Sequence, residues 1–116
     1  MKTEHRVHPR YRVQLLAKME EGQRVSHVKV IDLSLAGCRI LCKQMLNHSA
    51  HVRLTFFMKT EAGHEPCLPI SARVTRVFKA EEEKMVGIAF IGSIFPENGI
   101  EELIEEAAKN PKAKLA

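Results

Sequence analysis

The feature that most limits the fold of this chain is a period-two alternation, repeated in short runs between turns. From Arg10 onward, Tyr11, Val13, Leu15, Ala17 and Met19 take one phase, and Arg12, Gln14 and Lys18 take the other. An apolar residue at every second position marks a strand with one face on a core. Glu20 to Gln23 makes a turn, and a second strand runs from about Arg24 to Leu33. Cys38, Ile40 and Cys42 give a third, after which residues 44–49 connect. Val52, Leu54, Phe56 and Met58 give a fourth, and Lys59 to Pro66, with Gly63 inside, reads as a polar turn. A fifth strand covers about Leu68 to Phe78, with Ile70, Ala72 and Val74 on one face and Arg73 and Thr75 on the other. Ala80 to Glu83 is a charged turn, and Val86, Ile88 and Phe90 point inward from a sixth strand.

The period then changes. Ile100, Leu103, Ile104, Ala107 and Ala108 fall at i, i+3, i+4, i+7 and i+8, one stripe of an α-helix. Asn98, three residues before Glu101, suits an N-cap with a capping box. Pro111 and the lysine-rich end are expected to stop this helix and fray. Six strands followed by one helix predict an all-β domain: a six-stranded antiparallel barrel, closed so that no edge is exposed, with a C-terminal α-helix against its side or mouth. The barrel and helix are assigned to residues 10–110, and residues 1–9, aperiodic and holding Pro9, to a flexible N-terminal arm.

Composition narrows the compartment and the partners. The 116 residues are 45% hydrophobic and 28% charged, ordinary for one globular domain. No apolar run approaches the roughly 20 residues of a membrane span, and the start of the chain lacks the apolar stretch of a signal peptide. A cytoplasmic protein without membrane insertion is expected. Cys38, Cys42 and Cys67 are an odd set without paired spacing, read as free thiols on strands. His5 with His8, and His48 with His51, have H-x-x-H spacing, but further ligands are not apparent, so no metal is assigned. The formal net charge of +4 favours an anionic partner. Arg6, His8, Arg10 and Arg12 crowd the start, whereas Glu101, Glu102, Glu105 and Glu106 crowd the end, so the anion-binding surface belongs near the arm.

Two clusters carry the chemistry. In Asp32-Leu33-Ser34-Leu35-Ala36-Gly37, a carboxylate and a hydroxyl at spacing two share one face of an extended chain. Gly37 suits a positive φ or a close approach of another backbone or a ligand. Val28 and Val30 share one phase, then Ile31 and Leu33 take the other. That shift predicts a bulge just before Asp32, turning Asp32 and Ser34 outward. The second cluster, Arg6-Val7-His8-Pro9-Arg10, places two arginines on one side of an extended arm, roughly 13 Å apart. Guanidinium forks suit phosphate oxygens or the O6/N7 edge of guanine, and they stack on flat bases. Asp32 can accept from the guanine N1 and N2 hydrogens, and Ser34 can donate to phosphate or accept from a base.

An R-x-x-x-R arm followed by D-x-S-x-x-G after the second strand resembles the PilZ domain family. Gly87-Ile88-Ala89-Phe90 is similar to that family's strand-six G-x-x-F pattern, and the resemblance covers nearly the whole chain. It implies a receptor for the bacterial second messenger cyclic di-GMP. By that resemblance Arg6 and Arg10 contact guanine and phosphate, Asp32 and Ser34 hold a guanine edge, and Gly37 allows close packing. His5, just before the first arginine, takes the position that in the family influences whether one or two ligand molecules bind. With no tryptophan in the chain, stacking on a base falls to an arginine. Arg39, Arg73 and Arg76 are further candidate contacts. No cofactor besides the ligand is implied.

Two other functions compete. Small basic barrels bind nucleic acid, but single-strand binders need exposed aromatic platforms, and this chain has one Tyr and five Phe, most phased inward. A PilZ-like protein-interaction module without ligand is the other. No activated nucleophile, paired carboxylates or Gly-rich phosphate loop points to an enzyme. The expectation is a stand-alone, non-enzymatic cyclic di-GMP receptor that orders its arm on binding and changes its surface for an unidentified protein effector.

Overall fold

The computed structural model describes residues 8–80 and 82–115. In chain order the elements are β1 (Arg10–Glu21), β2 (Arg24–Leu33), β3 (Gly37–Cys42), β4 (His51–Thr60), β5 (Gly63–Pro66), β6 (Ile70–Ala80) and β7 (Glu83–Phe90). A 3₁₀ turn (Pro96–Asn98), helix α1 (Ile100–Ala108) and a short β8 (Lys114–Leu115) complete the chain. Neighbouring strands run in the order β5-β4-β6-β7-β3-β2-β1-β8, and β4 also pairs with β1. This extra pairing, Ala17 opposite Phe56 and Met19 opposite Leu54, closes β1, β2, β3, β7, β6 and β4 into a six-stranded ring. The predicted barrel with its C-terminal helix is therefore present.

The alternation explains the closure. Ala17, Met19, Val28, Val30, Leu33, Ile40, Leu54, Phe56, Val74 and Val86 are all buried, one set from each ring strand. Each large side chain of this kind contributes roughly 1.5–3 kcal/mol when removed from water. Phe56 meets Phe90 edge-to-face at 6.2 Å between centroids, within the favoured range for aromatic pairs. α1 packs against β1, with Ile100 fully buried and Leu103, Ile104 and Ala107 on the core. Ala108, placed on the same stripe by its spacing, is exposed instead.

Four local expectations give way. Residues 59–66 are not a plain turn, because β4 runs on to Thr60 and folds back as β5. Every residue of β5 is exposed, so no alternation could announce it. Cys67 lies after β5 rather than on a strand. Asn98 does not cap α1: Gly99, at φ 79°, takes the N-cap position without a side-chain hydrogen bond. Asn98 is buried, its Oδ1 accepting from the Phe95 N–H at 2.7 Å and its Nδ2 donating to the Leu68 carbonyl at 2.9 Å. It thus staples the approach to the helix onto the loop before β6. Finally, the tail beyond Pro111 does not fray. Ala113 is buried and its carbonyl accepts from the Arg12 N–H at 2.7 Å, while Lys114 and Leu115 pair with Tyr11 and Arg10.

Replacing Asn98 by Ala removes, at a buried side chain, the acceptor of the Phe95 N–H and the donor to the Leu68 carbonyl. The Asn98→Ala variant should lose about 1–3 kcal/mol of unfolding free energy, measured by urea denaturation, with the barrel's circular dichroism unchanged.

Candidate ligand-binding site

Strand pairing lays one row of residues across five strands of the barrel wall. Arg12 stands opposite Asp32, Asp32 opposite Arg39, Arg39 opposite Gly87, and Gly87 opposite Arg76. Two of these residues reach the outer face only because their strands carry an extra residue. Asp32 shares the phase of Val28 and Val30, and Arg76 shares that of Ala72 and Val74; on regular strands both would point into the core. The β2–β3 register slips between Val30 and Asp32, as the phase shift at Ile31 predicts. The β6–β7 register slips between Val74 and Arg76. Each bulge reverses the facing of the residues after it. A third slip, in β1 between Arg12 and Leu15, lies opposite the same part of β2.

Outward-facing does not mean exposed. Asp32 is 1% exposed, and Arg39 donates its Nε–H to Asp32 Oδ2. An Arg10 guanidinium nitrogen stands 3.9 Å from the same oxygen. Asp32 Oδ1 is buried with no hydrogen-bond partner among the described residues. A buried carboxylate needs counter-charges and donors, and here one oxygen has them while the other does not.

Ser34 is occupied by its own turn. Its Oγ accepts from the N–H groups of Ala36 at 3.0 Å and Gly37 at 3.2 Å, and its own N–H donates to the Gly37 carbonyl at 2.8 Å. Of the two properties that could require Gly37, the close approach is the one in use. Its φ is not positive, but a Cβ there would lie 2.0 Å from the Ile88 carbonyl oxygen. β3 can therefore pair with β7 at this level only if residue 37 has no side chain.

These residues border a cavity of about 630 Å³, within the usual range of small-molecule sites. Arg10, Asp32, Ser34, Gly37, Arg39 and Arg76 all line it. Arg73 does not; it is exposed and pairs with His51 and Ala89. His5 and Arg6 lie outside the described residues. Gly87 floors the cavity, while Thr75, Phe78 and Leu115 are lining residues that the sequence reasoning passed over. The Arg76 guanidinium sits 5.4 Å from the Phe78 ring centre, a cation–π contact. A basic residue in an apolar phase at position 76 was a usable sign of the second bulge. Nothing marked Leu115, whose place comes from the tail's return to β1. Beneath the cavity Cys38 is buried, and desolvation first, then the nearby Asp32 charge, push its thiol pKa up. Burial likewise raises Cys42 and Cys67.

A family model for the PilZ domain matches residues 4–106. The chain belongs to the PilZ domain family. No curated protein sequence matches it. Among solved structures, this PilZ domain is similar to the Bacillus subtilis inhibitor of motility MotI/DgrA, with a TM-score of 0.74 and 12% identity over 93% of this chain and 54% of the other. It is similar to the PilZ domain of Escherichia coli YcgR solved with c-di-GMP, with a TM-score of 0.69 and 12% identity over 91% and 93% of the two chains. The MrkH–c-di-GMP complex of K. pneumonia gives a TM-score of 0.67 and 18% identity over 95% and 54%. At these identities the likeness is one of fold. The chain spans about half the length of MotI/DgrA and MrkH.

This packing has two measurable outcomes. Gly37→Ala sets a methyl against backbone that cannot swing away, and should cost about 1–3 kcal/mol or more in a denaturant titration. Because the thiolate is the reactive form, Cys38 and Cys42 should resist a thiol reagent at pH 8 in the folded domain, and all three cysteines should react once it is unfolded.

Proposed function

We propose that this PilZ domain is a receptor for cyclic di-GMP, a binding module rather than an enzyme. The observation that carries this is the cavity itself: a buried carboxylate with one oxygen unpartnered among the described residues, flanked by arginines, over a floor that lacks side chains at Gly37 and Gly87. A flat base with two adjacent N–H groups supplies donors to Asp32, and the phosphates of the cyclic dinucleotide supply acceptors to the arginines. Support also comes from YcgR and MrkH, which share the fold and were solved with c-di-GMP.

In this proposal Arg10 and Arg6 contact guanine and phosphate, and Asp32 holds the guanine edge. Ser34 acts chiefly by fixing the turn that presents Asp32 and Gly37, since its hydroxyl is already engaged there. His5 and Arg73 stay outside the assigned contacts. No helix among the described residues is long and apolar enough to cross a membrane. We place the receptor in the cytoplasm, with residues 1–9 as the arm that ligand orders over a barrel of residues 10–110. The new surface then meets a protein effector.

Isothermal titration with cyclic di-GMP tests the assignment. The chain should bind in the micromolar range or tighter. A charge-assisted contact contributes about 1.5–3 kcal/mol. Arg10→Ala and Asp32→Asn should each therefore weaken binding at least about tenfold. No binding by the unaltered chain overturns the receptor function; unchanged binding by Arg10→Ala rejects the contact given to Arg10, and unchanged binding by Arg6→Ala rejects the part given to the arm; turnover of the ligand rejects a pure binding module.

A further inference from the structure

Arg39 belongs to neither motif of the family, yet it donates a direct hydrogen bond to Asp32 in the cavity. We propose that Arg39 is an exchangeable cover on Asp32, which it holds in the free domain and leaves for an anionic group of the ligand, with Arg76 as the opposite jaw. This rests on the receptor function proposed above.

The free-state contact is explicit. The Arg39 Nε–H is spent on Asp32 Oδ2, and Asp32 is 1% exposed. A donor edge with two parallel N–H groups needs both carboxylate oxygens on its side. It cannot reach a carboxylate so thoroughly buried until something over it moves. Arg10 stands farther off, at 3.9 Å, so the direct hydrogen bond to be exchanged is that of Arg39.

The guanidinium also has reason to leave. One of its terminal nitrogens has, among the described residues, the Met85 thioether, a weak acceptor, at 3.7 Å. The side chain is 36% exposed, so its head already borders solvent. Phosphate oxygens are better acceptors for the whole fork. Across the row, Gly87 separates Arg39 from Arg76 with no side chain between them. Two strand spacings set their backbones roughly 10 Å apart, enough for one anionic group between two guanidinium heads. The Arg76 head already has a cation–π partner in Phe78, so Arg39 is the jaw assigned to travel. When it goes, Met85 loses its cover, and the outer wall between Leu41 and Phe78, its neighbours across β3 and β6, changes character.

The exchange predicts what nuclear magnetic resonance of the ¹⁵N-labelled chain should read. The free domain should show a protected arginine Nε–H signal, assigned to Arg39 by its loss in Arg39→Lys. Saturating cyclic di-GMP should shift that signal together with the Ser34 and Gly37 backbone amides. If the backbone amides shift and the Arg39 signal does not, the ligand binds and the exchange is wrong. If no amide shifts at any ligand concentration, the receptor function itself fails. By calorimetry Arg39→Ala should bind at least tenfold more weakly, with a smaller salt dependence. Tighter or unchanged binding in that variant overturns the transfer to an anion, since a mere cover would help when removed. Arg39→Lys keeps a counter-charge beside Asp32, so its affinity checks the same point if the alanine variant is unstable.

Discussion

A carboxylate buried in the wall of a barrel is the constraint around which this domain is arranged. Asp32 stands where its strand would otherwise point it into the core, and an ionised group there, unpaired, would cost several kcal/mol. The chain answers in two ways: a bulge turns the residue outward, and arginines from β3 and β1 stand against it. Neither suffices by itself. Without the bulge there is no room for a guanidinium; without the guanidinium the residue is an uncompensated charge under a packed surface. The ring, its closing seam and the tail that returns to β1 keep these pieces in register.

The same device occurs twice. Thr75 in β6 does for Arg76 what Ile31 in β2 does for Asp32, and the two bulged strands flank the regular pair β3 and β7. The middle of the site is therefore flat and close-packed, with glycine where β3 meets β7, and its rims are charged. Such a division suits a ligand that carries both flat bases and charged phosphates. It also separates the tasks of the residues: Gly37 and Ser34 shape, Asp32 and the arginines bind.

Much of this was legible in the sequence, for a physical reason. Half-buried strands write their facing into the chain at every second residue, so β1 to β4, β6 and β7 could be read, as could the slip at Ile31. The helix stripe was legible by the same logic. What the sequence hid lacks a buried face or depends on partners far along the chain. β5 is exposed on both sides, β8 is two residues long, and Leu115 lines the cavity only because Arg10 recruits it. Asn98 looked like a cap because its side chain fits that motif; its actual partners, Phe95 and Leu68, are set by packing. The burial of Asp32 was also out of reach, since a strand pattern gives the facing of a residue and not what lies across it.

The row from Arg12 to Arg76 runs around the barrel rather than along it, crossing five of the six ring strands. Anything that bridges its two ends acts as a hoop on the wall. Backbone hydrogen bonds already join these strands edge to edge, but the side chains of the row leave a gap at Gly87. Filling that gap would tie β6 and β7 to β2 and β3 through a second set of contacts, on the outside. Breathing of the wall across those strands would then slow as a unit, while the β4–β5 hairpin on the far side, beyond the hoop, would keep its own motion.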